Sequence, residues 1–268
     1  MVPAMDKEKI KMPKSKIAVT LFNVREFCKT ESDLDASLDK LCAIGYEVVQ
    51  VSAVPLPPEV IRKQLDKHGL FCCATHENYD TICGDPAAIA DKLDILGCDF
   101  AALGAPPKDE RDNPAFFENL AKIMNRCGEK IRERGKKLGY HNHHWEFERH
   151  GGNETMFEKI LRLTDPEFVF SELDVHWVTR GGGCPETWIR RLAGRIPVIH
   201  FKDFALVARE PQFCEIGEGN LDWPGIIKAC VDTGIPFYSI EQDKPFMDRN
   251  IFDSMKISFD NLRALGVK

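Results

Sequence analysis

The 268-residue sequence predicts an α/β fold, a single (β/α)₈ barrel. Three observations carry this. An apolar, β-branched run, a polar turn and a segment of helical spacing ending near glycine recur from Lys16 to the C-terminus. Several of the runs are apolar on both faces, as strands of a parallel sheet covered by helices should be. The alternative, a doubly wound open sheet, usually announces itself with a glycine-rich first turn. Here the first turn reads NVREFCKTES, without glycine.

The strand candidates are KIAVTLF (16–22), YEVVQVS (46–52), LFCCATH (70–76), CDFAALG (98–104), KLGYHNH (137–143), EFVFSELD (167–174), IPVIHFKD (196–203) and IPFYSIEQ (235–242). Eight such units over ~250 residues match the size of the barrel. The helices between them carry recognisable ends. In SDLDASLDKLCAIG (32–45), Ser32 is the expected N-cap, apolar residues fall at 34, 38, 41 and 44, and Gly45 closes the segment. In DPAAIADKLDILG (85–97), Asp85 caps and Pro86 takes the first helical position. The last helix is expected over 248–266. No Pro- or Gly-rich linker splits the chain, so one catalytic domain is expected over 16–268. The lysine-rich lead-in over 1–15 has no apolar signal core and is expected to be disordered.

Composition narrows the function. A net charge of -6 disfavours nucleic acid, because phosphate binding calls for a basic surface. No apolar run approaches the ~20 residues of a membrane span. The ten cysteines form no CxxC pair and most sit in apolar patterns, so they read as small buried hydrophobes in a reducing compartment. A cytoplasmic location is the default expectation; the oligomeric state is not legible.

The chemistry concentrates at four strand ends in the second half: HNHHWEF (141–147), SELDVHW (171–177), VIHFKD (198–203) and YSIEQD (238–243). They offer Glu146, Asp174, His200 and Glu241. In a barrel these ends converge on one mouth. Three buried carboxylates together are prohibitive without a cation. Oxygen-rich ligands with one imidazole suit Mn²⁺ first, with Mg²⁺, Co²⁺ or Zn²⁺ as alternatives. By the two-residue period, Glu172, Asp174 and His176 share one strand face, and His200 and Lys202 another. His141 and His143 also alternate onto one face. They form either a zinc HxH pair or, in the preferred reading, an internal hydrogen-bonding histidine and a substrate contact. His76, His143, His176 and Lys202 are the substrate-binding candidates. The loop IGEGNLDW (216–223) allows close backbone approach to a ligand through its glycines, or serves only to lead into a helix capped by Asp222.

Together HNHHWEF, LDVHW, IHFKD, IGEGNLDW and SIEQD, in that order, resemble the sugar phosphate isomerase/epimerase family with the xylose isomerase-like barrel. The resemblance implies one divalent metal on Glu146, Asp174, His200 and Glu241, with Glu146 and Glu241 doubling as paired acid and base. It implies a sugar or keto-sugar substrate and proton transfer α to a carbonyl through a metal-bound enediolate. The family's ketose 3-epimerases also carry a further glutamate and arginine, where this chain has Gly152 and Leu206. Lys202 is closer to the lyase branches. The alternative is therefore a metal-dependent dehydratase of the inosose or 3-dehydroshikimate type, with Lys202, His143 or His176 as acid. An apurinic-type endonuclease and a non-catalytic sugar-binding barrel stand behind these.

Overall fold

The structure is a computed structural model that describes residues 12–268. The lead-in expected over 1–15 falls largely outside the described residues. Eight parallel strands form the barrel: β1 (Ile17–Thr20), β2 (Val48–Val51), β3 (Phe71–Glu77), β4 (Phe100–Leu103), β5 (Lys137–His141), β6 (Val169–Glu172), β7 (Val198–Phe201) and, after a hairpin of β8 (Asp203–Val207) and β9 (Glu210–Cys214), β10 (Phe237–Ile240). Their order is β6-β5-β4-β3-β2-β1-β10-β7. Closure between β6 and β7 is reduced to a parallel bridge of Asp174 with His200, where the His200 N–H donates to Leu173 O at 2.8 Å. The sequence reading foresaw all eight barrel strands and missed the hairpin, which turns through Ala208 and Arg209, both at positive φ.

The helices are α1 (Glu31–Ile44), α2 (Pro58–His68), α3 (Tyr79–Cys83), α4 (Pro86–Leu96), α5 (Pro114–Arg132), α6 (Met156–Leu163), α7 (Val175–Arg180), α8 (Pro185–Arg191), α9 (Trp223–Thr233) and α10 (Ile251–Ala264). The caps of α4 and α9 are Asp85 and Asp222, as the sequence indicates. The cap of α1 is Thr30 rather than Ser32. Thr30 forms a reciprocal capping box with Asp33, which ties down two backbone N–H groups where Ser32 would secure one. All ten cysteines are unpaired and seven are buried. Among the described residues, no helix is long and apolar enough to cross a membrane.

Strand alternation divides the buried residues into two sets. Ile17, Val19, Val49, Leu138, Tyr140, Ile199 and Tyr238 point outward and pack under the helices. Ala18, Val48, Phe100, Ala102 and Val198 point inward and, with Phe71, Phe170 and Phe237, plug the lumen. Gly139 makes room for this plug: a Cβ there would meet the Phe100 ring at 2.4 Å. Two residues beyond these apolar positions, toward the C-terminal ends, come Gln50, His141, Glu172 and His200. The apolar plug is thus a floor, and the polar residues stand on it facing the mouth.

Candidate metal centre and active site

Asp174, His200 and Glu241 converge with His141. One ligand atom from each lies within 4.8 Å of the others. His200 Nδ1 stands 2.9 Å from Glu241 Oε2, and His141 Nε2 stands 4.0 Å from Asp174 Oδ2. A second grouping, His76, His141, Glu172 and His200, shares two of these histidines. All are fully or nearly buried except His76, at the rim.

Glu146 is not part of the cluster, and this corrects the sequence reading. Strand β5 ends at His141, and residues 145–147 form a 3₁₀ turn. The turn swings the Glu146 side chain to the outer side of the barrel. There it accepts hydrogen bonds from the Tyr140 hydroxyl at 2.6 Å and the His143 N–H at 2.7 Å. Tyr140 faces outward, so its partner lies behind the wall. His141, the last inward residue of β5, occupies the ligand position instead. Burial pushes the Glu146 carboxyl up to about 7, with Tyr140 and backbone N–H groups opposing.

His176 also departs from expectation. Strand β6 ends at Glu172, and Asp174 caps α7 by accepting from the Trp177 N–H at 3.1 Å. The two-residue period stops there, and His176 sits on the helix. It is fully buried with both ring nitrogens unpartnered, and its ring lies 5.2 Å from both Phe204 and Phe213 of the hairpin. It packs beneath the hairpin rather than lining the cleft. Burial, with Lys202 and Arg180 adding, holds its pKa down to about 2, so it stays neutral.

The cleft above the cluster has a volume of about 1000 Å³. His76, His143 and Lys202, three of the expected substrate contacts, line it beside His141, Glu241 and Trp177. Asp174 and His200 lie behind this surface, fully buried. Lys202 donates to Asp243 Oδ1 at 2.5 Å and stands 3.5 Å from Glu241 Oε2. Burial pulls its pKa down, but Glu241, Asp243 and Asp174 outweigh that and raise it. Lys202 is therefore a fixed positive charge and a poor proton donor. Glu241 is held well below the carboxylate range, since Lys202 and His200 outweigh its burial. It is ionised, so its oxygens can accept a hydrogen bond or face a cation. His200, flanked by Glu172 and Glu241, is raised well above its ordinary value despite burial.

Sequence reasoning missed Gln50, Asn142 and the position of Glu172. Gln50 donates to Glu172 Oε1 at 3.1 Å and its Oε1 stands 2.8 Å from His200 Nε2. Its signal was available: a lone amide inside the apolar run VVQV. Asn142 Oδ1 accepts the Asp174 N–H at 3.0 Å and so fixes the start of α7. The IGEGNLDW loop serves the fold. Its Gly217, Gly219 and Leu221 N–H groups and the Trp223 indole N–H all donate to the Asp203 carboxylate. A Cβ on Gly219 would meet Asp203 Oδ1 at 2.2 Å, so the glycine admits this close approach.

The donor set fits a divalent ion. Asp174 Oδ2 is buried and makes no hydrogen bond, while burial pushes its carboxyl up to about 7. A cation beside that oxygen would satisfy it and reverse the desolvation cost. Two carboxylates and two imidazoles suit Mn²⁺, Co²⁺, Zn²⁺ or Mg²⁺ without selecting one.

Residues 38–245 match the family model of the xylose isomerase-like TIM barrel. The chain belongs to this family. An inosose dehydratase of Mesomycoplasma hyopneumoniae is 25% identical over 246 residues, covering 84% of this chain and 80% of that protein. A sugar phosphate isomerase/epimerase from Parabacteroides distasonis superposes over all of both chains with a TM-score of 0.77 at 22% identity. A xylose isomerase-like barrel protein from Mycobacterium smegmatis, in complex with magnesium, gives 0.72 at 12% identity over 94% of this chain and 96% of that one. The inosose dehydratases are named among the sequence relatives, and an L-ribulose 3-epimerase shares the fold with a TM-score of 0.68 at 16% identity.

Proposed function

We propose that this protein is a metal-dependent sugar or keto-sugar isomerase or epimerase that moves a proton at the carbon next to a carbonyl. The observation that carries the reading is the quartet His141, Asp174, His200 and Glu241 at the mouth of the barrel, with Lys202 beside Glu241. His141 Nε2, Asp174 Oδ2, His200 Nδ1 and Glu241 would hold the ion, for which Mn²⁺ is the first choice. The magnesium complex of the mycobacterial barrel supports a divalent ion on this fold. When bound, the ion polarises a carbonyl oxygen and acidifies the adjacent C–H.

The chain supplies the rest. Glu241, ionised and lining the cleft, takes the proton. Lys202 Nζ offers a fixed charge to the oxygen on which negative charge develops. The His143 ring, stacked on Trp145 at 4.0 Å, forms the wall against which the sugar lies. The partner is a small-molecule sugar or keto-sugar, with no role for nucleic acid or membrane. Work in the cytoplasm accords with the ten unpaired thiols.

Dehydration is the second reading, and two observations favour it. With Glu146 behind the wall, the cluster lacks the second glutamate that two-face epimerisation was expected to use. The inosose dehydratases align over most of the chain. A panel of ketoses and ketocyclitols with Mn²⁺ in D₂O, read by mass spectrometry, tests both. One-dalton deuterium uptake without loss of water indicates isomerisation or epimerisation. Loss of water indicates the dehydratase. Neither, across the panel, rejects enolising chemistry.

A further inference from the structure

The cleft changes character from one side of the mouth to the other. The ion ligands and Lys202 come from β5, β6, β7 and β10 or from the residues just beyond them. In the strand order β2 lies three strands from β5 and two from β10, so the loop after β2 stands across the mouth from them. That loop reads AVPLPP over 53–58. None of its side chains can donate or accept a hydrogen bond, and its three prolines also lack the N–H. Its Val54 and Leu56, with Phe22, Val51 and Ile61, form an apolar shelf on the wall of the same cleft of about 1000 Å³.

The polar groups that reach this side are already engaged. Asn78 Oδ1 accepts the Thr81 N–H and the Thr81 hydroxyl, each at 2.8 Å. Lys92 donates to Glu77 Oε1 at 2.7 Å, and Ser52 Oγ stands 3.4 Å from Gln50 Nε2. Ala53, exposed in the cleft, lies at φ 56, a left-handed conformation that favours glycine, asparagine or aspartate. Either polar residue would fit this backbone and offer the cleft a hydrogen-bonding group; the chain carries a methyl instead.

A bare sugar suits this surface poorly. It has a hydroxyl on nearly every carbon, and each hydroxyl set against the shelf would lose water without gaining a partner. The cleft is also at the upper end of the roughly 300–1000 Å³ that encloses drug-sized ligands. We infer that the substrate is a sugar or keto-sugar carrying an aromatic or other apolar substituent, with the sugar at the ion site and the substituent on the shelf across the mouth. The inference deepens the functional reading above and rests on it for the sugar end alone. The prolines fix the shelf before the ligand arrives, which lowers the ordering cost of binding. The shelf selects among substrates and takes no part in the proton transfer.

Two probes test it, 2-naphthyl β-glucoside and methyl β-glucoside, which share the sugar and have no carbonyl to enolise. Calorimetry measures their binding with and without Mn²⁺. The naphthyl glucoside should bind at least ~tenfold more tightly than the methyl glucoside. Ala53→Asn and Leu56→Asn should each cut that ratio about three- to tenfold and leave methyl glucoside binding unchanged. Asparagine suits the left-handed backbone at 53, so Ala53→Asn keeps the test alive should Leu56→Asn not fold. Equal affinities, or no measurable binding of the naphthyl glucoside, would overturn the inference. A preference that survives both substitutions would place the substituent elsewhere, against Trp145 or Trp177, and would overturn it too. The D₂O panel separates this result from the catalytic reading. Deuterium uptake or loss of water without a naphthyl preference keeps the chemistry and removes the shelf. A naphthyl preference that both variants reduce, without enolisation of any panel member, keeps the shelf and removes the chemistry.

Discussion

Replacing Glu146 by glutamine separates a structural carboxyl from a catalytic one. In the folded protein this group keeps its proton up to about pH 7, against an ordinary value of 4.5. The unfolded chain releases the proton near 4.5. Between these values the folded state binds more protons, so its stability falls as pH rises, and the favourable contribution is complete only below 4.5. A shift of about 2.5 units corresponds to about 3 kcal/mol. Glutamine mimics the protonated form. Its oxygen can accept the His143 N–H, and its NH₂ can donate to the Tyr140 oxygen, which now stands 2.6 Å from Glu146 Oε1. Glu146→Gln should therefore match the wild type near pH 4.5 and become more stable by about 1–3 kcal/mol at pH 8. Urea unfolding followed by circular dichroism at pH 5, 6, 7 and 8 reads the difference. Mn²⁺ stoichiometry should remain one per chain. A stability difference flat in pH would refute the raised carboxyl. Loss of Mn²⁺ would return Glu146 to the ligand set.

Asp174→Ala and His200→Ala should each abolish stoichiometric Mn²⁺ binding, measured by elemental analysis after gel filtration; retention in either would reject the quartet. Wild-type Mn²⁺ affinity should rise continuously from pH 6 to 8 by calorimetry. His200 is raised well above its ordinary value and must lose a proton to bind, so a flat profile would contradict its placement. Asp203→Ala should cost about 3 kcal/mol or more in urea unfolding, since it strands the buried N–H donors of the 217–223 loop; a loss within 0.5 kcal/mol would mean the loop is held otherwise.

The eight-fold alternation was legible because barrel strands and covering helices impose different periods on local sequence. Asp85, Pro86 and Asp222 announced their helices for the same reason: capping is settled within four residues. The strand-end positions of Asp174, His200 and Glu241 followed from the same local pattern. Which residue of HNHHWEF would face the lumen did not. That depended on β5 ending at His141 and on a 3₁₀ turn held by Tyr140, a contact between the outer wall and the next loop. His176 was misplaced because alternation was carried past Glu172 into what becomes a helix.

The sequence by itself determined the barrel and the polar character of its C-terminal strand ends, because these depend on periodicity and on short-range order. The tertiary structure alone decided which donors meet. Gln50 reaches Glu172 across 122 positions of chain and His200 across 150, and only the closed barrel makes them neighbours. Convergence across a lumen is a property of the ring of strands, and no single strand contains it.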